Sequence, residues 1–474
     1  MTWEPVIGLE IHVHLKTRTK MFCRCAVGAL DDPNTRTCPV CLAHPGTLPV
    51  PNAKAVEWTI LLGLALGCEI AERAVFHRKH YFYPDLPKGY QISQYDEPLC
   101  VNGKFVVPGP DGDTVVGMHR AHLEEDAAKT VHVGGAEGRI HGAEASLVDF
   151  NRGGTPLVEM VTEPDLHSAD DARRFLQLLR QTVVELGISD AEMEKGSLRF
   201  DVNVSVRPEG SDELRTRTEL KNMNSFAFAA RGIEREIQRQ VEIYEGGGEV
   251  EQETLHFDPN REDAPPLRSK EEAQDYRYLP EPDLVPIEPP RELVERLRAE
   301  LPESPTARID RFRSDYELSF YDADVLNATL GLARLFEAVV EAGADRKTAS
   351  NVLQNEFAAA GVDPAAVNPA ELAKVLEARA NDSIRRDAFM EALGASGDDD
   401  FSADPYLGET MVDDASELDP VIDAVLAENP GQVAAYRNGK EGLLGFFVGQ
   451  VMQRTDGKAN PKIVNERLRE KLGA

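Results

Sequence analysis

No stretch of this chain approaches the run of about 18 apolar residues that a membrane-spanning helix needs. The opening Met-Thr-Trp-Glu-Pro runs into an alternating segment with neither a basic, apolar leader nor an Arg-rich transit stretch, so a cytoplasmic protein is expected. The Gly-Lys pairs at 103–104, 439–440 and 457–458 all lack the Ser or Thr that completes a phosphate-binding P-loop. There is no Gly-x-Ser-x-Gly elbow, and no cysteine stands out as a nucleophile with a general base. Positive charge is scarce, with 52 Lys and Arg against 82 Asp and Glu and a net charge of −30. A body this acidic repels nucleic acid, so any such contact must be local or mediated by a cation or a partner. Cysteine is sparse too, and four of the six fall within residues 23–41.

The chain has 474 residues, 42% of them hydrophobic, enough for two or three domains of roughly 100–200 residues each. Val6 to Leu15 alternates almost perfectly. Leu9, Ile11, Val13 and Leu15 take one face of a strand, and Glu10, His12 and His14 take the other. Ser197 to Arg207 repeats the device, with Arg199, Asp201 and Asn203 opposite Leu198, Phe200 and Val202. Arg217, Glu219 and Lys221 share a face of Arg215–Asn222, and His122-Leu-Glu-Glu-Asp126 adds three consecutive carboxylates. A solvated outer sheet face would explain any one of these segments. Together they crowd carboxylates that repel one another unless a cation sits between them. Hard divalent ions such as magnesium prefer oxygen ligands and share them with substrate phosphates, which arginines also hold. Read this way, the faces suggest phosphoryl transfer from a metal–nucleotide on an open sheet. Gly153-Gly154 after Asn151-Arg152 reads either as a phosphate-approaching loop or as a plain tight turn.

Cys23-x-Cys25 and Cys38-x-x-Cys41 can place four thiolates around one tetrahedral zinc ion, a closed and therefore structural site. Cys68 and Cys100 read as packing residues. Residues 1–290 read as mainly antiparallel sheet with helices over Ala169–Leu186 and Ser225–Tyr244. The Pro-rich segment Pro280–Pro290 ends that part. Helical spacing then recurs over 291–301, 321–342, 346–360, 369–379 and 382–393, up to an acidic linker at 396–400. A small helical tail follows over 405–474. From Gly431 on it carries Arg437, Lys440, Arg454, Lys458, Lys462, Arg467, Arg469 and Lys471 against Glu441, Asp456, Glu466 and Glu470. A solvated helix face and an RNA contact both fit that bias.

Several long segments carry a family resemblance. They include Val6–Leu15, Cys38-Pro-Val-Cys-Leu42, His77–Gln94, His122–Asp126, Leu147-Val-Asp-Phe-Asn-Arg-Gly-Gly-Thr-Pro-Leu-Val-Glu-Met160, Leu198–Asn203 and Gly442–Met452. In order, they resemble the B subunits of glutamyl/aspartyl-tRNA amidotransferases. The resemblance implies an α+β fold: a cradle similar to glutamine synthetase and guanido kinases over 1–290, an all-α domain over 291–400 and a tRNA-binding tail over 405–474. It implies a glutamine-dependent carbon–nitrogen ligase with an amidase A subunit and a small C subunit, using ATP, magnesium and structural zinc. The substrate would be Glu-tRNA(Gln), Asp-tRNA(Asn) or both, and the cognate aminoacyl-tRNA synthetase is a further partner it allows. By the family pattern Glu10, His12, Glu125, Asp201 and Glu219 would hold magnesium. Lys79, Tyr81 and Arg199 would line the reaction chamber. Arg152 and Asn203 are the candidate nucleotide-binding residues. A non-catalytic RNA scaffold and a free-standing ligase are the competing readings.

Overall fold

A computed structural model describes residues 2–28, 32–134, 142–221, 223, 225–256, 266–269, 276–407, 415–455 and 459–473. Of the residues singled out above, Asn222, Asp456 and Lys458 lie outside these. The chain divides into two compact units, Met1–Arg308 and Ile309–Ala474. It mixes helices with a large, predominantly antiparallel sheet.

The strands of the first unit are β1 (Trp3–His14), β2 (Glu69–Ile70), β3 (Phe76–His80), β4 (Tyr90–Gln94), β5 (Cys100–Val107), β6 (Thr114–Glu125), β7 (Lys129–Val133), β8 (Ala145–Asp149), β9 (Pro156–Thr162), β10 (Leu198–Pro208), β11 (Thr218–Lys221), β12 (Glu253–His256), β13 (Pro266–Ser269) and β14 (Leu279–Pro280). Nine of them form one sheet in the order β13-β12-β11-β10-β1-β9-β6-β5-β2. Its only parallel pair among the described residues is β11–β12. A smaller sheet, β14-β3-β4, docks on β6: the Gln94 side chain accepts from Leu123 N (3.1 Å), and Gln91 Nε2 donates to the Glu125 carbonyl (2.7 Å). β7 and β8 form a separate hairpin.

Alternation decides which side of the large sheet enters the core. Leu9, Ile11 and Val13 of β1 and Leu198, Phe200, Val202 and Val204 of β10 are buried. Helices α2 (Ala169–Glu185) and α3 (Phe226–Glu245) complete that side. Phe175 of α2 meets Phe105 edge-on at 5.4 Å, and Phe226 of α3 stacks near Phe200 at 5.9 Å. Each helix starts where a serine accepts a backbone N–H: Ser168 from Asp171 and Ser225 from Phe228. Such caps contribute about 1 kcal/mol each. The first unit runs past residue 290. Arg296, on the helix Arg291–Ala299, pairs with Glu57 at 3.0 Å, and Arg308 pairs with Glu185 at 2.7 Å.

The second unit is helical. The segment expected as one helix over 321–342 is two, Phe320–Leu326 and Leu330–Glu341, because Thr329 caps the second by accepting from Leu332 N. The 346–360 helix contains a π-type turn at Leu353–Phe357. In the tail, Leu418, Ile422, Phe447, Val451, Val464 and Leu468 make a small core. Much of the tail's positive charge is spent internally. Arg467 pairs with Asp419, Lys471 with Asp423, and Arg454 with Glu428, while Arg437 Nε donates to the Leu472 carbonyl.

Candidate active site on the polar face of the sheet

Residues directly opposite on antiparallel strands project to the same side of a sheet. The register therefore writes the polar face out in rows. One row runs His122 (β6), Glu159 (β9), His12 (β1), Arg199 (β10). The next runs Arg120, Val161, Glu10, Asp201. A third places Gly8 beside Asn203 and Glu219.

His12 is the centre of the first cluster. Its Nε2 lies 3.4 Å from Glu159, 3.7 Å from Glu124 and 3.8 Å from Glu10. Two sets of potential ligand atoms come together within 4.8 Å: Glu10, His12 and Glu159, and His122, Glu124 and Glu159. Burial works against charge on His12, but the hydrogen bond to Glu159 and the charges of Glu124, Glu159 and Glu10 outweigh it and raise its pKa to about 9. Burial, then repulsion from Glu159, pushes Glu124 up to about 7 and moves Glu10 in the same direction. Burial drives His122 down to about 4. Against the cost of burial, the His122 charge, the hydrogen bond and charge of His12, and the Lys79 charge hold the Glu159 carboxyl well below its usual range. Three carboxylates crowded on one imidazole suit a hard divalent cation, whose charge would relieve the repulsion that raises Glu10 and Glu124.

Asp126 is the centre of a second cluster. It is 5% exposed and meets His14 Nε2 at 2.7 Å, Arg199 at 3.1 Å and Arg152 at 3.3 Å. Against the cost of burial, these three hold its carboxyl well below the usual range. Arg152 is fixed further by donating to the carbonyls of Ala127 and Ala128. The Gly153-Gly154 step is a tight turn: Gly154 has φ +85°, its N–H donates to Asp126 O and its carbonyl accepts from Met21. That amide is therefore not turned toward a phosphate.

Between the clusters lies a cavity of about 400 Å³, lined by Glu10, His12, Lys79, Tyr81, Glu124, Asp126, Arg152, Arg199, Asp201 and Lys221. The small sheet delivers Lys79 from β3. Its ammonium sits 4.9 Å from the Tyr276 ring, and although burial opposes it, Glu124, Tyr278 and Glu159 raise its pKa. Burial raises the Tyr81 hydroxyl, so it stays protonated.

Of the residues expected from the sequence, Glu10, His12, Lys79, Tyr81, Arg152, Arg199 and Asp201 line this one cavity. Asp201 reaches Lys221 at 2.8 Å. Asn203 lines an adjoining cavity of about 500 Å³ that shares Glu10 and includes Arg120 and Arg217. Glu219 stands one row away, held by Lys221 at 2.9 Å and by the Thr254 hydroxyl at 2.9 Å. Glu125 is a correction. The family pattern sets it beside Glu10, but adjacent strand residues point to opposite faces, so Glu124 joins His12 and Glu125 does not. The Glu125 carboxylate pairs with Lys88, accepts from Ile92 N and lines a separate cavity of about 210 Å³. Sequence reasoning counts Glu124 and Asp126 among the three consecutive carboxylates without giving either a role, and it misses Glu159 as a site residue. Glu159 had a signal, a lone acid inside the apolar run Leu157–Thr162.

The sulfurs of Cys23, Cys25, Cys38 and Cys41 all lie within 4.8 Å of one another. Metal–sulfur bonds of about 2.3 Å in a tetrahedron need sulfurs about 3.8 Å apart. Cys41 and Cys38 stand at 3.9 Å. Buried Lys20 approaches Cys41 at 3.8 Å and donates to the Phe150 carbonyl at 2.9 Å. Hydrogen bonds from Cys23 and others, with the Lys20 charge, lower the Cys41 thiol to about 4. The set fits a thiophilic metal such as zinc. Cys68 and Cys100 are buried, as expected.

Residues 5–295 match a family model described as the GatB/GatE catalytic domain, and residues 334–472 match one described as the GatB domain. Among curated relatives, the B subunit of the aspartyl/glutamyl-tRNA(Asn/Gln) amidotransferase of Geobacter sulfurreducens is 48% identical over the whole of both chains. The Moorella thermoacetica protein of the same name is 47% identical over the whole of both chains. The one from Syntrophotalea carbinolica is 46% identical over 99% of this chain and 98% of its own. The chain belongs to the family of aspartyl/glutamyl-tRNA amidotransferase B subunits.

Proposed function

We propose that this chain activates the side-chain carboxylate of Glu-tRNA(Gln), Asp-tRNA(Asn) or both with ATP, for amidation by ammonia that a glutaminase subunit supplies. The observation that carries this reading is the convergence of Glu10, His12, Glu124, Lys79, Arg152 and Arg199 around one cavity of about 400 Å³, with the Glu159 carboxylate within ligand distance of Glu10 and His12. Glu10, Glu124 and Glu159, with His12, would hold magnesium, and Asp201 lies beside Glu10. Bound there, the ion supplies neutralisation of phosphate charge during in-line transfer. The chain's own residues do the remaining work. Arg199 and Arg152, fixed by Asp126, offer N–H groups to phosphoryl oxygens. Lys79, delivered by the small sheet, contributes a further cation, and protonated Tyr81 a hydroxyl donor. The substrate carboxylate attacks the γ-phosphorus, and the bond to the β-bridging oxygen breaks to release ADP. Ammonia then attacks the acyl carbon and phosphate leaves, giving the amide. Shielding from water by the assembled subunits would protect the acyl phosphate from hydrolysis.

On this reading the functional divisions are a cradle over 1–290, a helical domain over 291–400 and a tail over 405–474. The cradle likeness is to glutamine synthetase and guanido kinases. An amidase, a small third subunit, the tRNA and its synthetase are the partners, in the cytoplasm. No helix among the described residues is long and apolar enough to cross a membrane. Zinc pins the 23–41 loop. Lys440, Lys462 and Arg469 make no ion pair among the described residues, which leaves them for tRNA.

The test is Glu10→Gln and Glu159→Gln in the assembled enzyme. Each is expected to lower ATP-dependent amidation by about 100-fold or more, as for loss of one transition-state charge partner, while glutamine hydrolysis by the partner persists. Near-normal amidated tRNA from both variants refutes the reading.

A further inference from the structure

Four tyrosines form a continuous path, and the phosphoryl chemistry uses only the innermost, Tyr81. Tyr81, on the cavity wall, meets Tyr276 edge-on at 6.2 Å. Tyr276 meets Tyr278 at 6.2 Å, and Tyr278 stacks face to face with Tyr95 at 4.2 Å and 9°. The path is anchored by backbone. The His80 N–H donates to the Tyr276 carbonyl at 2.9 Å, and Leu279, next to Tyr278, pairs with Arg78 of β3. It runs outward into solvent: Tyr95 is 48% exposed, and Phe82, next to Tyr81, is 87% exposed. The aromatic pairs behind the sheet behave differently, since Phe105 and Phe175 are buried against each other.

We propose that Tyr276, Tyr278 and Tyr95 form a stacking track for the unpaired bases at the 3′ end of the aminoacyl-tRNA, ending at Lys79 and Tyr81. The inference rests on the function proposed above and deepens it. The reacting carboxylate belongs to a group esterified to the terminal ribose. When that carboxylate enters the cavity, the terminal base must lie just outside it, along the wall where the tyrosines begin. Charge decides how it is held. A chain with net charge −30 gives the phosphate backbone little general attraction. Stacking on aromatic rings is indifferent to that charge and tolerant of sequence. Lys79, 4.9 Å from the Tyr276 ring, keeps a cation at the inner end. The ring faces thus supply affinity where the electrostatics cannot. These tyrosines are positioning residues: they set where the ester sits and leave the transfer itself alone.

The test uses the assembled enzyme with Tyr95→Leu, Tyr278→Leu and the corresponding Phe variants. Each lost stack is expected to raise KM for aminoacyl-tRNA by about 5- to 150-fold, with kcat and KM for ATP changed by no more than about threefold. Tyr95→Phe and Tyr278→Phe keep the ring and should stay within about twofold of native. The tetranucleotide 5′-ACCA-3′ should inhibit the native enzyme competitively against aminoacyl-tRNA and lose that effect on Tyr95→Leu. Leu variants with native KM overturn the proposal, as does equal impairment by Leu and Phe. A raised KM that tracks loss of co-elution with the other subunits overturns it too, by making the track a docking surface for them. A native enzyme that amidates no tRNA would sink the parent reading itself, whereas normal amidation with an unmoved KM sinks this inference alone.

Discussion

Asp126→Asn keeps the shape of a buried side chain and removes its charge. The change touches three partners at once: His14 at 2.7 Å, Arg199 at 3.1 Å and Arg152 at 3.3 Å. The His14 contact is the most enclosed, with the imidazole side chain 17% exposed, and a charge-assisted bond in such a place contributes about 1.5–3 kcal/mol. The two arginines are about 40% exposed, so solvent screening limits each to about 1 kcal/mol or less. The expected loss of stability is about 3–5 kcal/mol, in line with removing one partner from a buried pair. The chain has two tryptophans, Trp3 and Trp58, and both lie in the first unit. Tryptophan fluorescence during urea unfolding therefore reports the unit that contains Asp126. With a slope of about 3 kcal/mol per molar urea, the midpoint should fall by about 1–1.7 M. The same change frees Arg199 from its fixed position and leaves Arg152 held only by the carbonyls of Ala127 and Ala128. A misplacement of about 1 Å in such groups costs about 100-fold in turnover, so ATP-dependent amidation should fall by that factor while glutamine hydrolysis persists. A midpoint that moves by less than about 0.3 M, together with turnover within twofold of native, would refute the assignment of Asp126 as the organiser of the cavity.

Metal removal gives a second prediction. Cys38→Ser should lose the bound metal, about one equivalent per chain by colorimetric release, while Cys68→Ser and Cys100→Ser retain it. The loop around 23–41 should then become the first site of limited proteolysis, and full metal content in Cys38→Ser would discard the four-sulfur site. For the tail, reversing Lys440, Lys462 and Arg469 to Glu should weaken tRNA binding and reduce its salt dependence by about 0.7–0.9 per lost phosphate contact. Arg467→Ala should instead loosen the tail, since Arg467 is paired with Asp419 on a neighbouring helix. An unchanged salt slope in the triple variant would remove the tail from RNA recognition.

How much of this could be read from the sequence depended on whether the signal was local. Alternation placed Glu10 with His12 on the polar face of one strand and Arg199 with Asp201 on that of another before any register was known, and all four line the cavity. The limits of α2 and α3 fell within a residue of expectation, because serine caps and helical spacing are written within a few residues of each other. The cysteine cluster was legible for the same reason. What failed was pairing between distant segments. Nothing near Pro156–Thr162 says that Glu159 will stand across from His12 on one side and His122 on the other. Only the strand order β1-β9-β6 says so. The error at Glu125 is of another kind, since the signal that corrects it is local. In His122-Leu-Glu-Glu-Asp126 the period of two assigns Glu124 to the face of His122, and Glu125 to the face of Leu123. A family pattern that counts two adjacent acids cannot distinguish them, but the pleat of the strand can. The site is therefore a property of the register: neighbouring strands bring carboxylates from two remote segments, Glu124 and Glu159, to join Glu10 of the same strand within 3.4–3.8 Å of the His12 imidazole. A one-residue slip of β9 against β1 would turn Glu159 into the apolar core and leave His12 without its hydrogen-bond partner.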